Sequence, residues 1–215
     1  MKNYGKLTMG IIVVWFIFAL SASALHLFKN DANRIGVEVA IAALVPIVVF
    51  SLWFVVSEKF RQFALSLNPR TLTALQSWRF IGFIFVLLEA RGALPAIFAW
   101  PAGYGDMVIG VTASLAAWKL ADANHRNGFI LWQLLGILDL VVAVGVGTTA
   151  GFLSPQGPTM APMTVLPLSL VPTFLVPLFL IFHVICIAQA KNWKSFSERT
   201  RQTAGAPACN LSRIS

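Results

Sequence analysis

Residues 128–152 read GFILWQLLGILDLVVAVGVGTTAGF, twenty-five residues with a single charge, Asp139. The hydrocarbon core of a bilayer is about 30 Å thick and takes about 20 apolar residues of helix, so this run is long enough to cross a membrane on its own. Five further runs of the same kind lie on either side of it, at 7–28, 36–57, 76–100, 103–121 and 165–190. The composition agrees. Of 215 residues, 58% are hydrophobic and only 11% are charged, against roughly 25% charged in a soluble domain. A chain so poor in charge cannot cover a globule with polar surface, which excludes soluble, disordered and coiled-coil classes. The expected fold is all-α: a polytopic bundle of six transmembrane helices over residues 1–191, then a polar, disordered tail over 192–215.

Lys and Arg set the orientation. Lys2 and Lys6, then Lys59, Arg61 and Arg70, then Lys119 and Arg126, and finally five residues from Lys191 to Arg213 fall on one side of a six-span chain. These are twelve of the sixteen basic residues. Lys29 and Arg34 mark the opposite loops, while Arg79 and Arg91 fall inside the third run. Both termini are therefore expected in the cytoplasm. The net charge of +8 is then topology signal and contact with anionic lipid, not a nucleic-acid footprint. Lys2, Lys6 and the Ser21-Ala22-Ser23-Ala24 stretch have the outline of a signal peptide. The apolar run continues through Leu25 and Leu27, so a retained helix is the expectation.

Cys186 and Cys209 form no CxxC pair, and three histidines (His26, His125, His183) are too few for a His-rich metal centre. No nucleotide, haem or metalloprotease motif occurs, so no cofactor is expected. The oligomeric state is not readable.

An ionisable side chain at the bilayer centre costs about 2.5–3.5 kcal/mol, which makes each one a candidate for function. Counting residues along each run places them in two layers. His26, Glu89, Arg91, Asp106 and Asp139 fall in an outer layer, and Arg79 and His183 in an inner, structural one. Between Gly92 and Asp106 the chain reads GALPAIFAWPAGYGD, with two prolines and three glycines. That stretch is expected to break the helix and to floor a polar cavity on the extracytoplasmic side. Gln133, Gly136 and Asp139 recur at spacings of three and form an interior stripe. Pro162, Pro167, Pro172 and Pro177 recur every five residues through the entry and first half of the last run, and predict a kinked helix locally short of backbone bonds.

Gly103-Tyr104-Gly105-Asp106 supports two local resemblances. It resembles a potassium-channel filter, but Pro101 and Ala102 stand where the channel has its Thr-Val carbonyl ligands. It is also similar to the GxGD motif of presenilin-like intramembrane aspartyl proteases, which implies Asp106 and Asp139 as an acid–base pair. Here the second aspartate follows the motif, whereas in that family it precedes it. A wider set looks like a group of uncharacterised bacterial multi-span inner-membrane proteins. It comprises Arg79-x-x-Gly82, Leu94-Pro95, Phe98-Ala99, Pro101-Ala102-Gly103, Gly105-Asp106, Gly136-x-x-Asp139-Leu140 and Val171-Pro172 through Pro177 to His183. That resemblance implies a bacterial inner membrane and no activity.

The expected function is binding or transport of a small polar or ionic solute, without enzymatic activity. Glu89, Asp106 and Asp139 would take protons or a cation, and Arg91 an anionic group. Asp139, the deepest, is expected to hold its proton near neutral pH. The alternatives are the aspartyl protease and a structural or assembly subunit.

Overall fold

The structure is a computed structural model that describes residues 2–29, 36–153 and 157–193. Arg34 and tail residues 194–215 lie outside the described residues. All regular elements among the described residues are helical. Five helices are long and apolar enough to cross a membrane: Tyr4–Ala24, Val37–Val56, Pro69–Ala90, Arg126–Ala150 and Val171–Lys191.

Helix α1 (Lys2–Ala24) ends in a Schellman cap. His26 takes the left-handed conformation (φ 59°), its N–H bonds the Ser23 carbonyl at 3.0 Å, and the Leu27 N–H reaches back to Ala22 at 2.9 Å. Helix α2 (Val37–Val56) is apolar on nearly every face and largely exposed, as a lipid-bathed helix is. Helix α3 (Glu58–Leu65) is short and amphipathic. It buries Phe60, whose ring stacks on Trp53 at 3.9 Å, and the Gln189 amide meets its last carbonyls, Ala64 and Leu65, at 3.4 and 3.2 Å and the Leu67 carbonyl just beyond at 2.7 Å.

The next span is one apolar segment wound in three ways: α4 (Pro69–Ala74), a 3₁₀ stretch (Leu75–Gly82) and α5 (Phe83–Ala90). Asn68 caps its start through the Arg70 N–H at 2.9 Å. The expected span at 76–100 is therefore displaced: it begins at Pro69 and stops at Ala90. A second Schellman cap makes the stop, with Gly92 at φ 70° and the Ala93 N–H on the Leu88 carbonyl at 2.8 Å.

Helix α6 (Ala96–Lys119) runs unbroken through Pro101, Gly103, Gly105 and Asp106. The expected break at 92–106 shrinks to residues 91–95, and the helix expected over 103–121 begins at 96 instead; it is not among the five that are long and apolar enough to cross a membrane. Pro101 leaves the Ile97 carbonyl without its helical donor, yet the winding continues. Tertiary packing overrides the local signal. One face of α6 is small, with Ala99, Ala102, Gly103, Gly110, Ala113 and Ala117 all buried, so neighbouring helices approach closely. The other face (Trp100, Tyr104, Val108, Val111, Leu115, Trp118) is exposed.

Asp122 Oδ1 accepts the N–H groups of Asn124 and His125 at 2.8 and 3.0 Å just before α7 (Arg126–Leu153). A short 3₁₀ turn (Ala161–Thr164) and a π turn (Val171–Leu175) precede α8 (Val176–Lys191). The last span, expected as a kinked helix over 165–190, thus begins at 171, and its irregularity is the π turn that carries Pro172. Pro177 has no N–H to give to the Thr173 carbonyl four residues back, and the Trp15 indole N–H of α1 takes its place at 3.2 Å. Trp15 and Phe16 both lie against the Phe174 ring. At the far end of α8, Arg126 donates to the Ala190 carbonyl at 2.9 Å.

Candidate functional site

Four ionisable side chains sit near the middle of four helices. Arg79 is eleventh of the 22 residues of Pro69–Ala90, and His183 thirteenth of the 21 of Val171–Lys191. Asp106 is eleventh of 24 in α6, and Asp139 fourteenth of 28 in α7. The two expected layers are thus a single one. Arg79 and His183 join Asp106 and Asp139 at mid-bundle, and the error came from counting depth from span starts that lie elsewhere.

The winding of the Arg79 segment aligns it. Thr73, Gln76, Arg79 and Gly82 are spaced by three and all buried. At about 100° per residue an α-helix would rotate this set about 60° per step, whereas a 3₁₀ helix at three residues per turn keeps it in one line. An eight-residue 3₁₀ stretch is long for its kind, and here it holds a polar stripe against α6, α7 and α8.

Arg79 is the hub, its side chain 1% exposed. Its Nε donates to Asp106 Oδ1 at 2.7 Å and its Nη2 to Asp139 Oδ2. Its Nη1 donates to the Gly136 carbonyl at 3.2 Å and to His183 Nε2 at 3.3 Å. Four of its five N–H groups are thereby engaged. The carboxylates, at 15% and 13% side-chain exposure, are less enclosed. Among the described residues no protein donor reaches Asp106 Oδ2 or Asp139 Oδ1.

Glycines make the approach possible. A Cβ on Gly82 would strike Asp106, one on Gly105 would strike Asp139, and one on Gly136 would enter the His183 ring. Any side chain at these positions would push the centre apart.

A second layer of hydrogen bonds fixes His183. A guanidinium has only donors, so His183 Nε2 must accept and its proton stands on Nδ1. Nδ1–H then donates to Gln133 Oε1, which orients the amide. Gln133 Nε2 donates to Thr73 Oγ1 at 3.0 Å, and Thr73 lies 3.8 Å from Cys186 Sγ. His183, Gln133 and Thr73 are fully buried. The direction of the whole chain follows from the charge of Arg79.

A small cleft of about 60 Å³ reaches this centre. Arg79 and Asp106 are its polar lining, and Trp78, Ile81, Phe85, Leu175 and Phe179 are among its apolar walls. Among the described residues, no group of three or more His, Cys, Asp or Glu is placed to hold a metal ion.

A family model described as a domain of unknown function, DUF8737, matches residues 35–190. The chain belongs to that family. No curated protein and no solved structure matches it. The DUF8737 span holds α2 through nearly all of α8, and with them the whole Arg79 centre; α1 lies before it.

The remaining expected site residues stand apart from this centre. Glu89 gives its carbonyl to the Gly92 N–H at 2.7 Å in the α5 cap, and Arg91 is the exposed C-cap beside it. His26 is exposed and closes α1, with Nδ1 2.9 Å from the Ala24 carbonyl. An open depression of about 500 Å³ does lie near Lys29, Gly92 and Pro158, but none of the five expected site residues lines it. The cation beside Asp106 and Asp139 is Arg79, not Arg91. Thr73 and Gln76 were not among the expected site residues, although their spacing of three along the line to Arg79 is visible in the sequence.

Proposed function

We propose that this is a six-span protein of a bacterial inner membrane, with both termini cytoplasmic, that binds or moves a small polar or ionic solute at the Arg79 centre. One observation carries the reading: a single guanidinium faces two carboxylates, each with an oxygen that no donor among the described residues reaches. With both carboxylates ionised the trio is one negative charge in excess. A structural ion-pair network would close its charges in pairs. This one is completed only by a proton or by the cationic part of a solute, so it favours a binder over a purely structural subunit. It also favours a binder over an aspartyl protease, whose two carboxyls must share a proton directly; here Arg79 stands between them.

The sixth span in this reading is α6. Trp100 and Trp118 lie at the two ends of its exposed face, about 27 Å apart at 1.5 Å per residue. That spacing matches a hydrocarbon core with an aromatic residue at each interface.

The test is melting temperature against pH for the parent, Asp139→Asn and Asp106→Asn. Asn mimics a protonated acid, so Asp139→Asn should fold and lose the pH dependence that the parent shows. A parent profile identical to that of the double Asn variant would overturn the reading. Topology is checked separately: a reporter after Ser215 or between Lys59 and Arg70 should be cytoplasmic, and one at Pro158 outside. A cytoplasmic Pro158 reporter would overturn the six-span arrangement.

A further inference from the structure

We propose that the cleft beside Asp106 takes a lipophilic monocation, an apolar chain ending in a protonated amine, and admits it sideways from the bilayer interior. This rests on the reading of the Arg79 centre as a solute site and specifies what the solute is.

The position of the mouth sets the route. Trp78 and Ile81, 66% and 44% exposed, edge the cleft on one side, and Leu168, Val171 and Leu175 edge it on the other. Trp78 is tenth of the 22 residues of its span, so the opening lies at hydrocarbon depth, far from either aqueous face. A solute that uses it must first be dissolved in the acyl phase.

The walls set the body of the solute. Every lining residue except Arg79 and Asp106 is apolar or glycine. The free space inside is about 60 Å³, well below the roughly 300–1,000 Å³ of sites that enclose a whole small molecule, so it takes an ammonium head while the chain stays in the acyl phase.

The floor sets the charge. Arg79 uses Nε, both Nη1 hydrogens and one on Nη2 within the protein, so it has little left for an anion. A carboxylate or phosphate head would add to an existing excess of negative charge. Asp106 Oδ2 has no protein donor and belongs to the residue that lines the cleft. An ammonium brings three N–H donors and one positive charge, which completes the trio to neutrality. Pairing with the partner charge offsets the loss of hydration when an ammonium enters such a site.

The experiment uses full-length protein in lipid nanodiscs and titrates three probes, with empty discs subtracted. Dodecylamine carries both head and chain, dodecanoate has the chain with the opposite charge, and butylamine has the head alone. Dodecylamine should bind at least about tenfold tighter than either, a difference of about 1.4 kcal/mol. Asp106→Asn should remove that preference. Ile81→Trp places a bulky ring at the mouth without touching the charged centre, and should weaken dodecylamine at least fivefold with an unchanged melting temperature. Equal binding of dodecylamine and dodecanoate, or full affinity in Ile81→Trp, would overturn the proposal. If the parent keeps its pH-dependent melting while amine selectivity is absent, only the solute class falls. If both are absent, the solute site falls with it.

Discussion

Replacing Arg79 by leucine keeps much of the side-chain volume and removes the one positive charge of the centre. Four hydrogen bonds go at once: to Asp106, Asp139, the Gly136 carbonyl and His183. Two mostly enclosed carboxylates are left facing each other. Removing one partner of a buried ion pair costs about 3–5 kcal/mol. Here two pairs are broken, but each stranded carboxylate can take up a proton, which holds the total near the same range. At about 2–4 °C per kcal/mol for a chain of this size, the melting temperature should fall by roughly 6–20 °C. Arg79→Lys should fall in between, because a point charge cannot serve two carboxylates and a carbonyl along fixed directions. The assay is intrinsic tryptophan fluorescence on heating the protein in detergent, with seven tryptophans as reporters. Should Arg79→Leu fail to fold, the triple variant Arg79→Leu, Asp106→Asn, Asp139→Asn removes every charge and should restore a cooperative transition. A melting temperature within about 2 °C of the parent for Arg79→Leu would refute the hub role, since even the low end of the range predicts more.

The same assay separates two glycines of α7. Gly136→Ala places a methyl in the His183 ring and should cost about 1–3 kcal/mol; Gly145→Ala meets nothing within 4 Å and should gain about 0.5–1 kcal/mol. Trp15→Phe keeps the aromatic contact with Phe174 but strips the donor from the Thr173 carbonyl, and should cost about 0.5–1.5 kcal/mol; an unchanged melting temperature would show that water or another group replaces it. Nitrogen-15 chemical shifts of His183 should show the proton on Nδ1 and a bare Nε2, and the opposite tautomer would reverse the hydrogen-bond chain.

The membrane-spanning character was legible because a bilayer demands about 20 consecutive apolar residues, a length of uncharged helix that a small soluble core seldom needs. The Gln133-Gly136-Asp139 stripe was legible because an α-helix brings residues three apart to one face. Arg79 was misplaced because hydropathy starts a span at its first apolar run. Pro69, Arg70 and Thr71 are too polar to count toward a run, yet Asn68 caps the helix in front of them. Pro101, Gly103 and Gly105, which read as part of a break, lie inside α6, a helix whose neighbours need its small face. Both errors moved starting points by seven residues, about two turns, and that shift separated a single centre into two layers. Gly92 did carry a readable sign: glycine just after an apolar run marks a helix end, and it places Glu89 and Arg91 at that end.

The bond between Trp15 and Thr173 joins residues 158 positions apart in the chain, and this has a consequence for biogenesis. During synthesis α1 enters the bilayer long before the π turn has been made, and until then its indole N–H has no Thr173 carbonyl to meet. The carbonyl in turn lacks a donor for as long as α1 stands elsewhere, because Pro177 can never supply one. Insertion of the helices and closure of the bundle are therefore separate events: α1 meets Val39 of α2 and Phe63 of α3 early, but its contacts with Thr173 and Phe174 wait for the segment that carries Pro177. A ribosome stalled before Thr173 would hold a set of inserted helices in which α1 leans on α2 and α3 alone, its indole still without its final acceptor.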